Sequence, residues 1–254
     1  MLVVFAAALL GGCAEPKKCP AVFYCDGAGW YSSGGSVAEG LRAAGFRGTF
    51  CTFGWSAMLG PAHDHFVNAS SKGIARGLTR KIENLRRLDS VGQIDVMGLS
   101  AGTSVVLLAL EQLPAGVEVD NVVLFSPSVS AEHNLTKAMQ HVRRNLYATY
   151  SPHDAILATL AVNADGVSGP PAGTVGFRLP KQAGGGIDTV YQRVINLPWE
   201  PAYLAYDWSG GHTSVTNRRM VASVIAPRVL TREPFPLDRS VLDRVAARQP
   251  GDRS

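Results

Sequence analysis

Apolar and polar positions along this chain fall into two alternating patterns: short continuous apolar runs, and longer stretches whose apolar residues recur every three or four positions. Residues 21–25 (Ala-Val-Phe-Tyr-Cys), 49–53, 93–97, 121–125 (Asn-Val-Val-Leu-Phe), 145–150 and 191–197 read as strands. Between them the spacing predicts helices over 36–44, 68–88, 103–113, 135–144 and 215–225. In the second of these, Ile74, Leu78, Ile82 and Leu85 share one face, while Gly45 and Pro114 stop the first and third. Pro61 and His63 fall in a connecting loop. Strands separated by helices of this length predict the α/β class, a predominantly parallel sheet flanked by helices on both faces.

One such domain accounts for residues 21–233 of the 254. The stretch 166–186 is rich in Gly and Pro and lacks helical period. It reads as an excursion over the sheet edge or site mouth rather than a linker. Residues 234–254 form a tail with a short helix over 237–247.

Composition changes this picture little. With 46% hydrophobic and 17% charged residues, a chain of this size buries enough surface to fold without a disulfide framework or metal. The net charge of +4 raises a nucleic-acid partner, but the Lys and Arg residues are scattered. The densest cluster, residues 76–87, also carries Glu83 on a predicted helix and reads as a solvated face, so no nucleic-acid partner is expected.

Residues 1–10 are almost wholly apolar, with no Lys or Arg before the run, and lead into Leu10-Gly11-Gly12-Cys13. The run is too short to span a bilayer and fits the core of an export signal. Small residues leading into Cys13 resemble the bacterial lipobox, which implies lipidation of Cys13 and an envelope protein anchored to a membrane, with residues 1–20 as signal and short tether. Cys19, Cys25 and Cys51 then allow at most one bridge and are expected as buried free thiols. No Cys/His spacing suits zinc, and neither a metal nor an organic cofactor is implied.

Gly98-Leu99-Ser100-Ala101-Gly102 carries the candidate chemistry. It lies directly after a predicted strand and directly before a predicted helix. A turn this sharp forces the serine into a strained conformation, holds its hydroxyl out at the carboxyl edge of the sheet, and needs small neighbours. The helix behind it aims free N–H groups and a positive dipole end at the site, with the Ala101 N–H as an oxyanion donor. The competing reading is a tight turn whose serine caps the helix.

On these residues the chain resembles the α/β-hydrolase superfamily over roughly 21–225, with the first one or two strands of larger members lacking. The resemblance implies a Ser nucleophile, then an acid, then a His base, in that order. His212, in Ser209-Gly210-Gly211-His212-Thr213 before the last predicted helix, matches the position of the base. His63 and His65 read as rim residues, and His133 and His141 as solvent-facing or capping residues of a helix. Asp154 follows the fifth strand, where the family keeps its acid, though an Asp there also suits a helix cap. Asp165, Asp188 and Asp207 are the alternatives, and His153 adjoins Asp154 without being well placed as a base.

The second oxyanion donor is expected from Cys25-Asp26-Gly27-Ala28-Gly29, similar to the family's His-Gly element with Asp26 in place of the His; Gly27 and Ala28 are the candidates. Trp30, Tyr31, Trp55 and Met58 either line an apolar acyl pocket or cover the core. The resulting expectation is a serine hydrolase cleaving a carboxylic ester of a small-molecule or lipid-like acyl substrate. An acyltransferase on the same residues and a non-catalytic envelope binding protein are the alternatives.

Overall fold

The computed structural model describes residues 19–29, 32–56, 60–88, 91–160, 162–181 and 186–230. Cys13 and the export segment, Trp30, Tyr31, Met58 and the helix expected over 237–247 lie outside them. The chain runs β1 (Cys19–Cys25), α1 (Gly34–Ala43), β2 (Thr49–Thr52), α2 (Pro61–His63) continued by a π turn (Asp64–Asn68), α3 (Lys72–Arg86), β3 (Val91–Leu99) and α4 (Gly102–Leu110). It continues with β4 (Asn121–Phe125), α5 (Thr136–Met139), β5 (Leu146–Tyr150), α6 (Ala155–Ala158), α7 (Ala172–Val175) and β6 (Val194–Pro198). The last helical segment is α8 (Arg218–Met220), a π turn (Val221–Ile225) and α9 (Ala226–Leu230).

The six strands form one parallel sheet in the order β2-β1-β3-β4-β5-β6. Their side chains alternate between two cores. Phe23, Ile94, Val96, Val122 and Leu124 pack on the α3–α4 side with Leu78, Ile82 and Val105. Val22, Met97, Leu99, Val123 and Phe125 pack on the other with Val37 and Leu41 of α1 and with Val221 and Val224 near the end of the described chain. Burial on both faces is why inner strands such as β1 and β4 read as nearly unbroken apolar runs instead of alternating ones. The chain leaves β1 for β2 and then crosses back to β3. This makes the carboxyl ends of β1 and β3 a topological switch point, the place where parallel sheets open a crevice.

The α/β class holds, and every predicted strand is present. Several helices differ. The stretch 135–144 is helical for one turn only, in α5, because its later residues are drawn into extended pairing: Val119 N–H donates to His141 O and Arg143 N–H to Val119 O, both at 2.8 Å. The helix expected over 68–88 begins at Lys72, where the Ser71 hydroxyl accepts from Ile74 N–H and caps it. The preceding loop is helical instead, with Pro61 at the first position, where its missing N–H costs nothing. Cys25 is a buried free thiol whose pKa is driven up by burial and by the Asp26 charge, whereas free Cys19 and Cys51 are exposed rather than buried. Asp95, inside β3, accepts from Gln93 Nε2 and from Asn121 N and Nδ2. Burial nonetheless pushes its pKa up to about 7.

Candidate active site

Ser100 follows the last residue of β3 with φ of +53°, in the left-handed region that costs an L-residue about 1–2 kcal/mol. Its N–H donates to Phe125 O of the neighbouring strand at 2.9 Å, and its carbonyl accepts from Thr103 N–H at 3.0 Å, so the turn is fixed from both sides. The small residues around it answer to backbone rather than to the serine alone. A Cβ on Gly102 would stand 2.3 Å from Asp26 O and 2.6 Å from Cys25 O, and one on Gly98 would stand 3.0 Å from Gly102 O. Glycine at 102 thus lets the start of α4 lie directly on the end of β1. Gly102→Ala is expected to cost about 3 kcal/mol in urea unfolding, because neither oxygen can retreat without moving a strand. A loss below about 1 kcal/mol would show the contact to be soft.

Asp154 lies between β5 and α6 and is fully buried. Its two carboxylate oxygens are engaged separately. Oδ1 accepts from Leu157 N–H at 3.0 Å and caps α6, while Oδ2 accepts from His212 Nδ1–H at 2.7 Å. His212 sits in a loop fixed on either side: Trp199 Nε1–H donates to Trp208 O at 2.9 Å, and the Ser214 hydroxyl donates to Gly211 O at 2.9 Å. Trp208 itself is fully buried and stacks on Tyr203. Ser100 and His212, each 9% exposed, line one cavity together with Gly27 and Ala28.

The loop after β1 reaches Ser100 through Gly27, whose missing Cβ would lie 3.6 Å from Ser100 Cβ. Asp26, the departure from the family's element, has a defined job. Its carboxylate accepts from the Ser32 and Ser33 hydroxyls and from the N–H groups of Ser33 and Gly34, anchoring the loop to the start of α1. It also accepts from Gly27 N–H at 3.2 Å. On the far side, buried Asp64 accepts from Gly29 N–H at 3.0 Å and from the Ser56 hydroxyl. Nothing in the sequence pattern singled out Asp64, since it acts across 35 residues on a backbone group.

The other candidates are accounted for elsewhere. Asp165 pairs with His133 Nδ1 at 2.9 Å, Asp188 accepts from Val190 N–H, and Asp207 pairs with Arg219. His133 is not solvent-facing. Burial works against its charge, but the hydrogen bond with Asp165 and the nearby Glu111 carboxylate, 3.4 Å from Nε2, outweigh that and raise its pKa to about 9. His141 is buried, and its Nδ1–H donates to Val117 O. His153 packs edge-on against Trp199. Trp55 belongs to the core and donates to Asp26 O at 2.8 Å. His65 is not a rim residue. It is buried, lines the cavity with Ser100, and donates from Nε2 to Val162 O at 3.0 Å. A second strained serine, Ser126 at the end of β4 (φ +42°), is fully enclosed, and its N–H donates to Thr149 Oγ1. Strain alone therefore does not set Ser100 apart; its place on the cavity does. Among the described residues no group of His, Cys, Asp and Glu could hold a metal ion.

A parallel sheet with helices on both faces and a strained serine at its switch point is the arrangement of the α/β-hydrolase fold. Residues 34–168, just over half of the chain, match the family model described as an alpha/beta hydrolase of unknown function (DUF900), and the chain belongs to that family. The matched span includes Ser100 and Asp154 and ends before His212. No curated protein matches the sequence. Among solved structures, lipase B from Aspergillus fumigatus is similar with a TM-score of 0.51 at 15% identity, over 91% of this chain and 57% of the lipase chain. Est1E from Butyrivibrio proteoclasticus gives 0.46 at 12% identity, over 85% and 88%. The likeness to the lipase is one of fold, and this chain spans somewhat over half of the lipase's length.

Proposed function

We propose that the protein is a serine hydrolase that cleaves carboxylic esters through an acyl-enzyme on Ser100. The observation that carries this reading is the 2.7 Å hydrogen bond from His212 Nδ1–H to buried Asp154, on the wall of a cavity that Ser100 also lines. With the proton held on Nδ1, the lone pair of His212 sits on Nε2, the atom a base must use. His212 takes the Ser100 proton as Oγ attacks the ester carbonyl, and the tetrahedral oxyanion forms. His212 then gives that proton to the departing alkoxide, and the acyl group stays on Ser100. Water, deprotonated by His212, attacks the acyl-enzyme and releases the acid while Ser100 regains its proton.

The Ala101 N–H, one of the unpaired donors at the start of α4, serves as one oxyanion donor. Ala28 is the better second donor, because Asp26 already engages Gly27 N–H. Treatment with a fluorophosphonate probe is expected to place one adduct on the peptide containing Ser100, read by mass spectrometry. A folded sample that takes up no probe, or takes it up on another residue, would refute the assignment.

A further inference from the structure

The cavity beside Ser100 has a composition that the mechanism does not require. Its volume is about 390 Å³, and apart from Ser100, His212, Thr213 and His65 its lining is made of Gly, Ala, Pro, Leu, Ile and Phe. Among the described residues no Lys, Arg, Asp or Glu lines it. One wall comes from α2 and its π turn, with Pro61, His65 and Phe66; the other comes from α6 and the residues after it, with Ile156, Leu157 and Leu160. The His65–Val162 hydrogen bond ties the first wall to the segment two residues beyond Leu160, so the walls hold a set separation. Phe66 and Ile156 are each more than half exposed, which carries the apolar surface outward from the cavity.

We infer that this cavity takes the acyl chain of an uncharged ester, a straight apolar chain of medium length, with Leu160 and His65 setting how much chain fits. The inference rests on the serine-hydrolase reading and adds the substrate class. A carboxylate or ammonium on the chain would lose its hydration with no Lys, Arg, Asp or Glu among the described lining residues to pair with it. Each methylene that enters gains about 0.8 kcal/mol, which converts to up to about fourfold in kcat/KM. If a chain carbon takes roughly the ~30 Å³ that a water occupies in the liquid, the cavity fills at about eight to ten carbons once the ester group is seated.

The test is a series of p-nitrophenyl esters from acetate to hexadecanoate, with the octanedioate monoester as the charged counterpart of octanoate. Expected are a rise of about two- to fourfold per methylene to about C8, no further rise beyond about C10, and at least a hundredfold preference for octanoate over the octanedioate monoester. Leu160→Trp, checked for folding by circular dichroism, is expected to lower the octanoate-to-acetate ratio at least tenfold. A flat chain-length profile, equal use of the charged ester, or an unchanged ratio in folded Leu160→Trp would overturn the pocket assignment while leaving Ser100 labelling and acetate hydrolysis in place. Absence of both labelling and hydrolysis of every ester would instead remove the hydrolase reading and the inference with it.

Discussion

Ser100→Gly is expected to lower kcat for ester hydrolysis by about six orders of magnitude, the scale seen when a hydrolase loses its serine, and to raise stability by up to about 1 kcal/mol. The two effects share one cause. At φ of +53° the serine side chain pays for a left-handed backbone that holds Oγ toward the cavity. Glycine adopts that conformation without the Cβ penalty, and this relief exceeds the extra freedom it gains in the unfolded chain. Ser100→Ala separates the terms: it removes Oγ but keeps Cβ, so activity falls equally with no stability gain. Urea unfolding and ester turnover on the three proteins decide the matter. Equal stability of the Gly and Ala variants would mean that the elbow stores no strain, and substantial turnover by either would mean that Ser100 is not the nucleophile.

Asp154→Asn is expected to lower kcat about ten-thousandfold with a stability change below about 0.5 kcal/mol. The reason lies in the division of labour within one carboxylate. The amide oxygen of Asn can still accept from Leu157 N–H and cap α6, since Asn is as good a cap as Asp. Its amino group then meets His212 Nδ1, where only an acceptor serves, so the imidazole is driven to the other tautomer and its Nε2 lone pair is lost. Asp154→Ala removes both functions and is expected to add about 1 kcal/mol of destabilisation to a similar loss of turnover. If Asp154→Asn turns over within tenfold of the parent, the acid has been misassigned.

Legibility from the sequence followed the range of the forces involved. Strands buried on both faces announce themselves as apolar runs, as β1, β4 and β5 do, whereas the edge strand β2 is exposed and shows only a short β-prone stretch. The elbow was readable because its requirements are local: a strand, a helix and small residues within five positions. Helix ends were less readable. The α5 stretch was claimed by pairing with Val119, a partner more than twenty residues away, and the start of α3 was decided by a single hydroxyl on Ser71. The serine, the acid and the base could be ordered along the chain, but their order says nothing about distance.

His65 and Asp64 show what stayed hidden. Spacing along the chain points to the rim for the first, which is a buried cavity wall, and carries no mark of the second, which braces the loop next to Ser100. By itself the sequence determined the fold class and the strand–serine–helix turn, because periodicity and short-range sterics are written in neighbouring residues. Only the tertiary structure decided that Asp154 grips His212 with one oxygen while capping a helix with the other, and that Asp26 and Asp64 brace the loop from two sides. It alone decided, too, that no Lys, Arg, Asp or Glu among the described residues lines the space beside Ser100. Those features depend on groups brought together across tens of residues, where burial and hydrogen-bond geometry, and not spacing along the chain, set the outcome.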